Sequence, residues 1–203
     1  MNRILVVRHG QTDWNAQNIM HGQIDVPLNQ LGIKQAEDLR ERLQNVAVDI
    51  CYCTHLSRSE KTARIILQYH PNVDLLFDDR LLELYKGNLE GTNNNSEHML
   101  LDESLDILKQ FRVESKAHFY NRVKSFYDEI LEKYNNKTIL IVAHSGTVKM
   151  SEFYFNAPNK DIVSAYYDLH IPNGYVAQFS DDIKRVPPVL RQYDVDREVY
   201  PFI

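Results

Sequence analysis

The chain has 203 residues, 43% of them hydrophobic and 25% charged, and a formal net charge of -5. That length suits one domain with a sizeable core, and the acidic balance argues against nucleic acid or an anionic membrane as partner, since both need broad basic surface. No apolar run approaches the ~20 residues of a membrane helix and the N-terminus carries no long apolar export stretch, so the cytoplasm is the expected location.

Ile4-Leu5-Val6-Val7 is a short apolar run of the kind that forms a buried parallel strand, and Arg8, His9 and Gly10 follow it directly. A polar loop runs from His9 to Leu28. Asn29 is a candidate N-cap for a helix in which Ala36, Leu39, Leu43 and Val46 recur at helical spacing. Val48 to Cys53 predicts a second strand. Ser57 or Arg58 opens a helix through Ala63, Ile66 and Leu67 that stops before Pro71, and Leu75 to Phe77 is a short strand. Asn93 to Ser96 is a polar loop leading to a helical stretch around residues 97–110. Phe119, Val123, Phe126, Ile130 and Leu131 mark an amphipathic helix. Ile139 to Ala143 is another buried strand and Gly174 to Ser180 an alternating one. Strand and helix alternate without repeat, linker or low-complexity tract. The expectation is one doubly wound α/β domain over residues 1–203, with an insertion at about 92–116.

Three strand ends carry charge or potential nucleophiles: Arg8 and His9; Thr54, His55, Ser57 and Arg58; His144, Ser145 and Gly146. Ligands of open α/β sheets bind beyond the carboxyl ends of the strands. If these strands are neighbours, two arginines and two histidines converge. At ~4 Å and an effective dielectric near 20, two like charges repel by about 4 kcal/mol; a phosphate dianion reverses the sign, and Arg suits its geometry. Cys51 and Cys53 alternate with Tyr52 and read as buried small hydrophobes on one side of a strand. They lack a histidine partner at metal spacing, so no metal and no cofactor are expected.

The sequence resembles the histidine phosphatase superfamily, also called the phosphoglycerate-mutase-like family, over nearly its whole length. The likeness rests on R-H-G-Q-T-D-W-N (Arg8 to Asn15), G-Q-I-D-V-P-L-N-Q-L-G-I-K-Q-A (Gly22 to Ala36), T-H-L-S-R-S-E-K-T-A (Thr54 to Ala63), E-L-Y-K-G-N-L-E-G (Glu83 to Gly91) and V-A-H-S-G (Val142 to Gly146). It implies a three-layer α/β/α sandwich with a mixed, mainly parallel sheet of about six strands, one of them antiparallel. It also implies roles. His9 would take the phosphoryl group. Arg8, Arg58 and His144 would hold the phosphate oxygens with help from Asn15, and Glu83 would be proton donor and then base. Gln11, Thr12, Gly22 and Ser145 would lie beside the substrate, and residues 92–116 would cap the site.

Asp78, Asp79 and Glu90 compete with Glu83 for the acid role. His21, His55, His70, His98, His118 and His170 are read as surface or satisfied histidines, with His55 packed beneath the motif. Glu114-Ser115 resembles a family position near the pocket mouth and reads equally as a helix start. Lys86, Lys109 and Arg112 are read as a solvated face rather than a subsite for a carboxylate or second phosphate, and Tyr166, Tyr167 and the aromatic tail as packing. The family's mutases are longer, with A-H-G-N-S-L-R at the second histidine and an adjacent Arg pair in the insertion; this chain has A-H-S-G-T-V-K and no such pair between Gly91 and Lys116. The expected activity is a phosphomonoesterase acting on a small-molecule phosphomonoester. α-Ribazole phosphatase, a fructose-bisphosphatase-type enzyme, a phosphoglycerate mutase and a non-catalytic phospho-ligand module are the alternatives.

Overall fold

Strand β1 (Arg3–Arg8) has Ile4, Leu5, Val6 and Val7 fully buried, which is why it reads as an unbroken apolar run rather than an alternating one. In this computed structural model, which describes residues 1–93, 105–156, 166 and 169–181, β1 lies inside a five-stranded sheet. Its companions are β2 (Ile50–Cys53), β3 (Leu75–Phe77), β4 (Thr138–Ala143) and β5 (Val176–Ser180), in the order β3-β2-β4-β1-β5. β1, β2, β3 and β4 run parallel and β5 pairs antiparallel with β1. The sheet is therefore mixed and mainly parallel as expected, but it has five strands among the described residues rather than about six. The register Arg8↔Ala143 on one side and Cys53↔Val142 on the other puts Arg8, His144 and the turn after Cys53 on one edge.

Helices cover both faces. Ile4 and Val6 point into one core with α5 (Lys116–Lys133) and α6 (Ser145–Asn156), through Phe119, Val123, Phe126 and Val148. Leu5 and Val7 point into the other with α2 (Gln30–Leu43) and α3 (Ser57–Ile66), through Leu39, Leu43, Ala63 and Ile66. Cys51 and Cys53 share this second core as free, buried thiols.

Local chemistry sets the helix starts. Asn29 Oδ1 accepts from the Gly32 amide at 2.9 Å, and Ser115 Oγ accepts from the His118 amide at 3.1 Å. α3 has no side-chain cap of its own; Asp25 supplies one from the loop before α2, accepting from the Ser57 amide at 2.8 Å. The expected loop after His9 contains a short α1 (Asp13–Ala16), opened by a reciprocal capping box between Thr12 and Asn15. Of the insertion, α4 (Leu105–Phe111) is described; residues 94–104, His98 among them, lie outside the described residues, as do Tyr167 and the C-terminal tail. No helix among the described residues is long and apolar enough to cross a membrane.

Candidate active site

His9 leaves β1 with its amide on the Ala143 carbonyl at 3.0 Å, and its own carbonyl receives Asn173 Nδ2 at 3.1 Å. Its Nδ1 lies 2.7 Å from the Gly10 carbonyl oxygen. A carbonyl can only accept, so Nδ1 holds the proton and Nε2 keeps its lone pair. Burial, with Arg58 and Arg8 nearby, drives the His9 pKa well below the ordinary histidine value. Gly10 is needed for close approach: a Cβ there would stand 2.2 Å from the Gly32 carbonyl oxygen of α2.

Arg58 is fully buried at the start of α3 and donates to the carbonyls of Ile24 at 2.8 Å and Gly22 at 3.0 Å. Burial lowers its pKa to about 10, so it stays a cation at neutral pH. Arg8 donates to the Ile171 carbonyl. His144 follows β4 with Nε2 3.0 Å from the Thr54 hydroxyl, and its ring meets that of His9 edge-on, centroids 5.3 Å apart. Its Nδ1 is buried without a hydrogen-bond partner, and burial and Arg58 push its pKa well below the usual value.

Glu83 sits just past a single 3-10 turn at Asp79–Leu81. Its carboxylate accepts from the Leu84 amide at 2.8 Å and from the Gly146 amide, in the first turn of α6, at 3.1 Å. A Cβ at Gly146 would fall 2.1 Å from Glu83 Oε1, so glycine there is what admits the carboxylate. The competing acids are occupied elsewhere. Asp78 pairs with Arg80 at 2.6 Å, Asp79 with His55 at 2.8 Å, and Glu90 Oε1 accepts from the Gln23 and Lys86 amides at 2.9 and 3.0 Å.

Arg8, His9, Asn15, Gly22, Arg58, Glu83 and Ser145 all line one cavity of about 210 Å³. His144 stands behind this lining, against His9. Gln11 and Thr12 do not reach it. Gln11 holds Asn29 through Oε1 at 3.0 Å, and Thr12 caps α1 and meets His21 Nε2 at 2.5 Å. The lining also takes in residues outside the expected site, among them His21, Lys86, Lys149, Tyr166 and His170. His21 is buried with its pKa lowered to about 3, by burial first and then by Arg58, Arg8 and Lys86. Lys86 is buried and lines the cavity rather than joining a solvated face; Lys109 and Arg112 are exposed. Lys149, which carries no signal in the sequence, lines the cavity with its Nζ 4.4 Å from the centre of the Tyr166 ring. His55 does not pack beneath the motif: its side chain is exposed and pairs with Asp79 at the surface.

Buried cations and a neutral histidine at the carboxyl edge of a parallel sheet, facing one carboxylate, define an anion site on an α/β fold. A profile of the histidine phosphatase superfamily (branch 1) matches residues 4–177, and the chain belongs to that family. It is 30% identical over 168 residues to phosphoserine phosphatase 1 of Hydrogenobacter thermophilus, covering 76% of this chain and 75% of the relative. It is 31% identical over 151 residues to the probable phosphoglycerate mutase GpmB of Proteus mirabilis, covering 71% and 70%. In fold it is similar to YhfR of Bacillus stearothermophilus, with a TM-score of 0.80 at 22% identity over 94% of this chain and 96% of that one.

Proposed function

We propose that the protein is a cytoplasmic phosphomonoesterase that hydrolyses a small phosphorylated metabolite through a phosphohistidine on His9, without a metal or cofactor. The observation that carries this reading is the Nδ1 contact with the Gly10 carbonyl, which leaves a neutral His9 with a free Nε2 lone pair at the cavity. In the first step Nε2 bonds to phosphorus, the ester P–O bond breaks, and the leaving oxygen takes its proton from Glu83. In the second, Glu83 takes a proton from water, the water oxygen bonds to phosphorus, and the N–P bond breaks to return neutral His9 and phosphate. Arg8, Arg58, Asn15 and His144 serve the phosphate oxygens. Phosphoryl transfer needs placed positive charge more than covalent help, and fixed arginines supply that without reorganising.

Among the described lining residues Arg8, Arg58, Lys86 and Lys149 face Glu83 as the only acid. That balance supports an anionic substrate. Phosphoserine, in the name of the Hydrogenobacter relative, has this character and belongs in a substrate screen with α-ribazole phosphate and sugar bisphosphates. The A-H-S-G-T-V-K motif and the lack of an adjacent Arg pair favour hydrolysis over the mutase reaction named for the Proteus relative. The test is a quench after mixing with labelled phosphomonoester. Label should survive alkali, vanish in acid and be missing from His9→Ala; label on another residue, or retained in that variant, refutes the proposal.

A further inference from the structure

The segment that carries Glu83 is held by a side chain the mechanism above does not use. Arg122, on α5, engages all five of its N–H donors. Nε donates to Glu114 Oε1 at 2.8 Å. One terminal nitrogen donates to the carbonyls of Arg80 at 2.8 Å and Leu82 at 2.7 Å, and the other to the Glu83 carbonyl at 3.0 Å and Glu114 Oε2 at 2.9 Å. Glu114 completes the frame: its Oε2 accepts from the Tyr85 amide at 3.2 Å, and its own amide donates to the Tyr85 carbonyl at 2.9 Å. The Arg80 and Leu82 carbonyls before Glu83, its own carbonyl and the Tyr85 amide after it are thus tied to one guanidinium–carboxylate pair. The two side chains are only 15% and 8% exposed.

The other face of Arg122 reaches the same place. Its guanidinium lies over the Phe119 ring, 4.3 Å from the centroid, and that ring stands 2.7 Å from where a Cβ of Gly146 would be. Gly146 is the residue whose amide holds the Glu83 carboxylate. One arginine therefore sets the backbone of Glu83 directly and, through Phe119, borders the seat of its carboxylate.

We propose that Arg122, locked by Glu114, is a positioning residue for Glu83 that fixes the line along which the carboxyl meets the leaving oxygen. The inference rests on Glu83 being the proton donor. A buried ion pair is weak evidence for stability, whereas a misplacement of about 1 Å at a reacting group costs roughly 10²-fold in rate. The arrangement is suited to the second purpose. Arg122 also contributes positive charge felt by His144. Lysine keeps that charge but offers three donors on a flexible stem in place of a rigid plane of five, so Arg122→Lys separates position from charge.

The experiment compares kcat/KM on glycerol 3-phosphate, whose alkoxide leaves badly without a proton, with kcat/KM on p-nitrophenyl phosphate, whose phenolate hardly needs one. The proteins are wild type, Glu83→Gln, Arg122→Lys, Glu114→Gln and the Glu83→Gln/Arg122→Lys double variant. Arg122→Lys should lose about 10²-fold on the alkyl ester and less than about 10-fold on the aryl ester. It should cost almost nothing more on the alkyl ester once Glu83→Gln is present. Glu114→Gln should shift the ratio in the same direction by less. Equal losses on both esters in Arg122→Lys, with Glu83→Gln still discriminating between them, overturn the inference. If Glu83→Gln itself fails to discriminate, the acid assignment falls, and that result is distinct. Should Arg122→Lys not fold, Glu114→Gln decides: an unchanged ester ratio overturns the inference.

Discussion

Acid should destabilise this protein through its buried histidines well before its carboxylates titrate. His9, His21 and His144 are all buried beside cations and all have lowered pKa values. In the unfolded chain each titrates near 6.5, while folded His21 does so only at about 3. Between those values unfolding takes up a proton, so the His21 contribution is fully present above the unfolded pKa and is lost as pH falls. At about 1.4 kcal/mol per pH unit, His21 alone removes about 2 kcal/mol between pH 7 and pH 5. That is a large share of a typical stability of about 5–15 kcal/mol, and His9 and His144 act in the same direction. The lowered carboxyls of Asp49 and Glu114 contribute mainly below about pH 4.5, outside this window. His21→Gln removes the titration while keeping an acceptor for the Thr12 hydroxyl and a donor for the Ile19 backbone, the two partners of His21. Urea unfolding at pH 7, 6 and 5 in phosphate-free buffer should show the wild type losing about 2 kcal/mol more than His21→Gln across the range. Parallel pH profiles for the two proteins would refute the assignment of His21 as a histidine buried neutral.

Gly146→Ala places a Cβ 2.1 Å from Glu83 Oε1 and 2.7 Å from the Phe119 ring; alkyl phosphate turnover should fall by about 10²-fold while inhibition by vanadate changes little, and a matching loss of vanadate binding would contradict this account. Gly10→Ala meets the Gly32 carbonyl oxygen at 2.2 Å, backbone against backbone, and should cost about 1–3 kcal/mol in urea unfolding; a wild-type midpoint would show that α2 can move away. Activity should survive dialysis against a chelator, since Arg8 and Arg58 already provide positive charge at the cavity; loss on chelation with rescue by Mg²⁺ or Zn²⁺ would count against the mechanism.

The legible parts of the sequence are those where one local cause dominates. β1 and β4 are parallel strands buried on both faces, so each is a continuous apolar run, and the charged residues after them mark the ligand edge. α5 shows its apolar stripe plainly. α6 does not, because its buried face includes Thr147 and Ser151. Thr147 Oγ1 donates to the Leu81 carbonyl at 2.9 Å, and Ser151 Oγ pairs with the Tyr127 hydroxyl at 2.6 Å. Polar residues satisfied inside the core erase the periodicity that would reveal the helix. Lys86 reads as solvated in sequence because nothing there announces that the chain folds back. Gly87 adopts φ +56° and leaves no room for a Cβ beside the Phe111 carbonyl. That close approach of two distant segments accompanies the burial of the lysine. His55 errs in the opposite direction: it adjoins the motif in sequence, yet the start of α3 turns it outward to Asp79.

What stayed hidden shares a physical origin with what makes the site work. The proposed nucleophile, His9, has to be kept without its second proton, and burial beside Arg58 and Arg8 acts in that direction. Such an arrangement is by itself unfavourable for the fold, since Arg58 is itself lowered by burial and its charge bears on all three histidines. The compensations are contacts to backbone carbonyls: those of the distant Gly22 and Ile24 on Arg58, that of the adjacent Gly10 on His9, and those around Glu83 on Arg122, which Glu114 pairs. They depend on glycines and carbonyls, whose placement only the folded chain defines. A binding anion offsets the mutual repulsion of the cations, so the same charges that repel one another favour an anion that enters the cavity.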